Sequence, residues 1–84
     1  MEKEKFLELL DQSYQWPDYY DFKFIIKSVE KDQILSKLSG FNIHETPSKN
    51  GTYVSITARK MIYHSHEVIA VYELMRGIKG LMTL

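Results

Sequence analysis

The histidines are the residues of this chain with the strongest potential for metal chemistry. His64 and His66 are separated by a single serine, and His44 lies well before them. Two imidazoles at this spacing can bind one metal ion from a strand or loop, but a complete site needs three or four ligands with supporting hydrogen bonds. No nearby acid completes such a set. The pattern therefore favours the solvated start of a helix, and we expect no metal site.

The hydroxyl and carboxyl groups that could act in catalysis have no recognisable partners in the sequence. Ser48, Ser55 and Thr57 are not accompanied by a base, which a hydroxyl nucleophile requires. Asp18 and Asp21 fall in a connecting segment, where a hydrated turn explains them better than acid–base catalysis. We therefore expect a non-enzymatic protein with no catalytic residue and no cofactor.

The segment Ser48-Lys49-Asn50-Gly51 could cradle a phosphate with its backbone amides. It lacks the glycine density of a P-loop and the Lys-Ser/Thr pair that follows one. Asn50-Gly51 is a strong turn signal, since both residue types tolerate a positive φ. We therefore interpret the segment as a tight hairpin turn.

The strand that follows this turn is the clearest element of the sequence. Its apolar residues are Val54, Ile56 and Ala58. They alternate with Tyr53, Ser55, Thr57 and Arg59. A period of two places the apolar row on one face of a sheet and the polar row on the other.

The other elements follow from the same kind of periodicity. The predicted elements are a helix over 2–14, a strand over 21–29, a helix over 30–39, a strand over 41–46, a strand from 53 to about 62, a helix over 65–76 with Ser65 as its N-cap, and a strand over 78–84. After the first helix the order is β-α-β-β-α-β, which is typical of the ferredoxin-like α+β fold. That fold has a four-stranded antiparallel sheet with the first and third strands at its centre and both helices on one face.

The first helix forms an N-terminal leader, residues 1–15, and residues 16–84 form the ferredoxin-like domain. The leader is amphipathic, and we expect it to pack on the domain through Phe6, Leu10 and Trp16. Residues 1–21 are acidic and residues 22–84 are basic, although the formal net charge of the chain is zero. The acidic leader is therefore either a solvated helix or a segment that lies against a basic surface of the domain.

Strand periodicity also predicts what the two faces of the sheet carry. The helices should cover Phe22, Phe24, Ile26, Phe41, Ile43, Val54, Ile56, Ala58, Ile78, Met82 and Leu84. The opposite, open face should carry Lys23, Ile25, Lys27, His44, Tyr53, Ser55, Thr57, Arg59, Lys79, Leu81 and Thr83. From this face we select a candidate ligand or partner site, which consists of Lys23, Lys27, Tyr53, Ser55, Thr57, Arg59 and Lys79.

The open face has three interpretations. Lysines on a solvated sheet are ordinary and also discourage aggregation. RNA-recognition motifs bind through the same face, but here the central strands offer only Tyr53 as an aromatic, and zero net charge makes nucleic acid the weaker partner. A regulatory module could hold a small ligand, or could form a homodimer or bind a protein through this face or the last edge strand.

Composition excludes several further classes. The chain has 84 residues, enough for one small core, and no cysteine, which excludes disulfide-stapled modules, thiolate metal sites and a cysteine nucleophile. The charged N-terminus shows no signal peptide, and no apolar run reaches the roughly 20 residues that cross a membrane. We therefore expect a cytoplasmic protein with no membrane partner.

The order of several short motifs resembles the YbeD-like family, a group of small bacterial proteins of unknown function. The matching segments are Pro17 to Lys27, Pro47-Ser48-Lys49-Asn50-Gly51-Thr52-Tyr53-Val54-Ser55-Ile56-Thr57, His66-Glu67-Val68 with Val71-Tyr72-Glu73-Leu74, and Lys79 to Leu84. Ser28 stands where a glycine often follows the first strand in that family. The resemblance implies a ferredoxin-like fold similar to the ACT regulatory domains, a regulatory or ligand-sensing role, and no catalytic residues.

Overall fold

The computed structural model describes residues 2–84. The elements are α1 (Lys3–Ser13), β1 (Asp18–Lys27), a 3-10 turn (Ser28–Glu30) that leads into α2 (Lys31–Leu35), β2 (Asn42–Pro47), β3 (Tyr53–Ile62), α3 (Ser65–Met75) and β4 (Met82–Thr83). Within the described part of the chain, no helix is long and apolar enough to cross a membrane.

The four strands form one antiparallel sheet in the order β2-β3-β1-β4. The first and third strands are therefore central and the second and fourth are edges, as the sequence predicted. β1 and β3 pair along their full length, from Asp18 opposite Ile62 to Lys27 opposite Tyr53. This long central ribbon fixes which residues share a face, since directly opposed residues point to the same side.

One face of the ribbon lies under the helices and forms the core. Val54, Ile56 and Ala58 are at most 4% exposed, and the intervening Tyr53 is 42% exposed. The orientation predicted for β3 is therefore confirmed. The core continues through the buried residues Leu10, Phe22, Phe24, Ile26, Ile34, Leu38, Ile62, Val68, Val71 and Met75.

α1 packs against α3 and contributes to the same core. Leu10 is buried, and Phe6 and Trp16 are partly buried against the core cluster, which confirms the predicted contacts of the leader. The Phe6 ring lies 6.1 Å from the ring of Tyr72 in α3. The ion pair that joins the two helices uses a lysine of α1, Lys3, with Nζ 3.5 Å from Oε1 of Glu73. Apolar packing therefore holds α1 in place. The ion pair between α1 and α3 uses a lysine of α1, so the acidic residues of α1 take no part in it.

β1 begins at Asp18, three residues before the predicted start. β3 extends to Ile62, and its last residues pair with the start of β1, Tyr19 with Met61 and Tyr20 with Lys60. The segment from Asp18 that was predicted to be a connection is therefore part of β1, because the end of β3 provides cross-strand partners for it.

The predicted helix over 30–39 is shorter and less regular than expected. The 3-10 turn precedes five residues of α-helix, and Lys37 and Leu38 then donate to carbonyls three residues back. The Ser36 hydroxyl donates to the carbonyl of Gln33 at 3.1 Å, a local bond that competes with helix continuation. The predicted apolar stripe is correct, since Ile34 and Leu38 are buried.

α3 has the predicted extent to within one residue, but its N-cap is His64 and not Ser65. The Glu67 carboxylate accepts the backbone N–H groups of Tyr63 and His64 at 2.9 and 2.8 Å, as in a capping box, and the Glu67 amide donates to the His64 carbonyl at 2.9 Å. Ser65 is the first helical residue and is buried. The sequence assignment was therefore wrong by one position.

The predicted last strand over 78–84 is largely wrong. Gly77 and Gly80 both have positive φ and form successive turns, so only Met82 and Thr83 pair with β1. The turns also invert the predicted orientation. Leu81 packs against the core, while Met82 and Leu84 are 56% and 68% exposed.

Candidate functional site

The face of the sheet opposite the helices has no element over it among residues 2–84 and is the candidate functional site. We call it the open face. By register it comprises Tyr19, Asp21, Lys23, Ile25 and Lys27 of β1, Tyr53, Ser55, Thr57, Arg59 and Met61 of β3, Asn42, His44 and Thr46 of β2, and Met82 with the following Leu84. The two central strands supply its middle, so the long β1–β3 ribbon positions the site.

The structure brings most of the predicted site residues together. Lys23 lies opposite Thr57, Ile25 opposite Ser55 and Lys27 opposite Tyr53. Arg59 lies on the same face, two residues after Thr57 in β3. Lys79 does not join them, because it lies in the turn before β4 and not on a strand. Its predicted place on the open face was wrong for the same reason as the predicted last strand.

Arg59 is held in place by two neighbours from β1. Its guanidinium lies 4.6 Å from the centre of the Tyr19 ring, and its Nε is 3.8 Å from Oδ1 of Asp21. Arg59 and Asp21 also line a hollow of about 390 Å³, together with Asn42, Ile43, His44 and Thr57. Its guanidinium, amide, imidazole and hydroxyl groups can donate to a carboxylate, which would compete with Asp21 for Arg59.

Lys23 and Lys27 are the free cations of the open face. The ion pairs present between residues 2 and 84 are Lys3–Glu73, Lys31–Glu45 and Arg59–Asp21, and neither lysine takes part in them. Both residues are exposed. The open face therefore carries three cations against one acid, Asp21, and its local charge is positive in a chain whose net charge is zero.

An apolar strip borders the lysines on the β4 side. Met82 pairs with Ile25, and the N–H of Leu84 donates to the carbonyl of Lys23 at 2.9 Å. Because side chains alternate along a strand, Met82 and Leu84 share the open face with Ile25. Two strongly exposed apolar side chains beside cations give this face an amphipathic surface.

Sequence reasoning missed seven residues of the open face, which are Tyr19, Asp21, Asn42, Thr46, Met61, Met82 and Leu84. Tyr19 was placed in a connection because the Trp16-Pro17 pair obscured the start of β1. Met82 and Leu84 were assigned to the covered face because an uninterrupted strand was assumed after Ile78. The signal that could have corrected the second error is the Gly77 and Gly80 pair, which punctuates the segment.

The hairpin loop between β2 and β3 uses its polar groups internally. The amide of Gly51 donates to the carbonyl of Ser48, the amide of Thr52 to the Asn50 side chain, and the amide of Tyr53 to the Ser48 hydroxyl. β2 ends at Pro47 and β3 begins at Tyr53, so the loop is longer than a two-residue turn, and within it only Gly51 has a positive φ. Amides that are already bonded do not cradle a phosphate, which supports the hairpin interpretation.

The histidine pair lies at the start of α3, close to Asp11 of α1. The indole N–H of Trp16 donates to Oδ1 of Asp11 at 2.9 Å. This hydrogen bond is the main reason that the pKa of Asp11 is lowered, and the Ser65 hydroxyl, His66 and His64 add smaller contributions of the same sign. Among the described residues, no group of three His, Cys, Asp or Glu side chains could hold a metal ion.

Tyr72 of α3 has a strongly raised pKa. Burial raises the pKa of its phenol, and the hydroxyl of Tyr20, 3.4 Å away, raises it further. The phenol therefore stays protonated under the core and has no access to the open face. Its part is structural, since its ring packs against Phe22 and Phe24.

Comparison of the chain with protein-family models, with characterised proteins and with solved structures finds no match in any of the three. The function must therefore be argued from the site itself.

Proposed function

We propose that this chain is a non-enzymatic, regulatory protein-interaction domain with a ferredoxin-like fold, and that a protein partner binds its open face. The strand order with central first and third strands, and the helical segments that follow β1 and β3, support the ferredoxin-like assignment. α1 is an addition before this unit. The regulatory part of the proposal rests on the likeness of the topology to ACT regulatory domains, and a cytoplasmic location is part of the same proposal.

The observation that carries the proposal is the composition of the open face. A solvated sheet face is ordinarily polar, and this one places exposed Met82 and Leu84 beside the free cations Lys23 and Lys27. Apolar groups bordered by charge are typical of a surface that a partner covers. The partner that fits presents apolar side chains flanked by acidic residues, one of which can reach Arg59.

The open face suits a protein better than RNA. RNA-recognition motifs stack successive bases on aromatics near the middle of the central strands. Here the two exposed tyrosines lie at opposite ends of the ribbon, since Tyr19 pairs with Met61 and Tyr53 with Lys27. Eight residues at about 3.3 Å each separate their rows by about 26 Å, which is too far for neighbouring bases. The middle positions are Lys23, Ile25, Ser55 and Thr57.

The open face also suits a different protein better than a second copy of the chain. Two open faces brought together would oppose like charges, which disfavours association. The β4 edge offers only two paired residues, a short template for adding a strand. Both features support a partner of complementary charge over a homodimer.

Site-specific photo-crosslinking in cells tests the proposal. A benzophenone amino acid placed at Thr57 lies on the open face, and the same group at Asp32 lies on exposed α2 as the control. We expect a discrete protein adduct at Thr57 that is absent at Asp32 and is lost when Met82→Glu is added. No adduct at Thr57, or the same adducts at both positions, would overturn the proposal. Filter binding at two salt concentrations checks the RNA alternative, for which we expect no retention even at low salt.

A further inference from the structure

A second concave surface lies on the helical side of the molecule, away from the open face. α1, α3 and the chain that leads into β4 surround a cavity of about 660 Å³. Its size is within the range of about 300–1,000 Å³ that is usual for small-molecule sites. Nothing in the open-face proposal makes use of this cavity.

The wall of the cavity is partly apolar and partly polar, and its apolar part comes from all three segments. Phe6 of α1, Ile69 of α3, and Ile78 and Leu81 of the segment before β4 line it. All four are buried or half-buried against the core. The three segments therefore hold the apolar part of the cavity wall in place through the same packing that stabilises the fold.

The rim of the cavity carries charged groups in an unequal balance. Lys3 and Glu73 neutralise each other across the rim, with Nζ 3.5 Å from Oε1. Arg76, at the end of α3, also lines the cavity, and it forms none of the ion pairs present between residues 2 and 84. One guanidinium is therefore free at the edge of the cavity.

We propose that this cavity binds a small amphipathic monocarboxylate, an aliphatic acid of medium chain length being the simplest example. The guanidinium of Arg76 can donate two parallel hydrogen bonds to the carboxylate, and the hydrocarbon part lies between Phe6, Ile69 and Leu81. A cationic ligand would be repelled by Arg76, and the paired Lys3 and Glu73 add no net charge to the rim. The single free cation therefore matches a single negative charge.

Titration of the full chain with hexanoate, octanoate and decanoate, followed by NMR of backbone amides below the micellar concentration, tests this proposal. We expect shifts confined to α1, α3 and residues 76–83. Each methylene that becomes buried should tighten binding by up to about fourfold. Shifts on the open face instead, or no saturable binding of decanoate at millimolar concentration, would overturn the proposal.

Two variants distinguish recognition of the carboxylate from simple partition of the hydrocarbon chain into the cavity. Arg76→Gln should weaken octanoate binding by about tenfold or more, because a charge-assisted hydrogen bond is lost, and should leave the weaker binding of 1-octanol unchanged. Lys49→Gln removes a cation from the exposed hairpin and is the matched control, with no expected effect. Equal binding of octylamine and octanoate, or equal losses in the two variants, would show that no carboxylate site exists. This outcome leaves the open-face proposal untouched, since the photo-crosslinking reports on the other side of the sheet.

Discussion

Asp11 shows how a single exposed carboxyl connects two elements. It accepts the indole N–H of Trp16 and lies near the start of α3, and these contacts lower its pKa. A carboxyl with a lowered pKa stabilises the folded state above its unfolded pKa of about 3.9, and this contribution is lost as the pH falls through the folded value. We therefore predict that wild type and Asp11→Asn differ in melting temperature by a constant amount above about pH 5 and converge below about pH 4.

The control for this prediction is Glu8→Gln, which removes an exposed acid from the same helix. Its melting temperature should follow that of the wild type at every pH. Thermal melts monitored by circular dichroism between pH 7 and pH 2.5 make the comparison. A constant difference between wild type and Asp11→Asn down to the lowest pH would show that the charge of Asp11 contributes nothing.

Ser48 organises the hairpin loop that feeds β3. Its hydroxyl accepts the amide of Tyr53 at 3.0 Å and contacts the Asn50 side chain at 3.1 Å. We predict that Ser48→Ala lowers the free energy of unfolding by about 1 kcal/mol, because one backbone donor loses its partner. Urea denaturation measures this, with Lys49→Ala as the control that leaves the loop bonds intact. Equal effects of the two variants would contradict this role of the hydroxyl.

At the residue scale, the period of two in β3 was sufficient to predict which side chains share the open face. Tyr53, Ser55, Thr57 and Arg59 lie on it as expected. The surroundings of Arg59 were beyond sequence reasoning, because Tyr19 becomes its neighbour only through the pairing of β1 with the end of β3. A cross-strand contact of this kind depends on register, which no local pattern specifies.

The contribution of α1 to stability depends on which of its side chains are buried. Leu10 is 4% exposed, whereas the adjacent Leu9 is 48% exposed. We predict that Leu10→Ala lowers the free energy of unfolding by about 2–4 kcal/mol, and that Leu9→Ala changes it by no more than about 0.5 kcal/mol. Deletion of residues 1–15 should likewise lower the melting temperature. If Leu10→Ala behaved like Leu9→Ala in urea denaturation, α1 would not be part of the core.

The last strand provides a direct contrast between sequence pattern and structure. Leu81 packs against the core, and its neighbour Met82 points to solvent. We predict that Leu81→Asp destabilises the fold by about 2 kcal/mol or more, since it buries a charge, while Met82→Asp has an effect of less than about 0.5 kcal/mol. The simple alternation in the sequence predicts the reverse order. Melting temperatures of the two variants therefore distinguish the two orientations.

At the element scale, the sequence predicted the order of the strands and long helices, but it misplaced several of their ends and most of the last strand. The pairing of β1 with β3 extended β1 by three residues, and a side-chain bond from Ser36 accompanied the early end of α2. Gly77 and Gly80 converted most of the last strand into turns. Each error has the same origin, in that tertiary pairing or backbone conformation overrode a local period.

The whole molecule has two faces of different character, although its overall charge is zero. The open face concentrates Lys23, Lys27 and Arg59, and the described acids of α1 lie on the helical side. Complementary charge raises association rates more than it raises affinity, and salt screens it. Strand pairing places these cationic side chains on one face, so the uneven distribution of charge could not be predicted from the amino-acid composition alone.

A charge-reversal experiment tests this view at the scale of the molecule. The double variant Lys23→Glu with Lys27→Glu should retain the melting temperature of the wild type to within a few degrees, because both side chains are exposed. The same variant should lose the photo-crosslinked adduct at Thr57. Lys37→Glu with Lys49→Glu changes the net charge equally elsewhere and should retain the adduct. Loss of the adduct in both variants would point to net charge and not to the open face.

The reactivity of single cysteines along β3 distinguishes the covered face of the sheet from the open face, and the chain has no cysteine of its own that would interfere. A thiol lies under the helices in Val54→Cys and Ala58→Cys. It lies on the open face in Ser55→Cys and Thr57→Cys. We predict that the thiols at 55 and 57 are alkylated rapidly in the folded protein and that those at 54 and 58 react only as the protein unfolds. Uniform rates, or fast reaction at 54 and 58 with slow reaction at 55 and 57, would contradict an uncovered face with this composition.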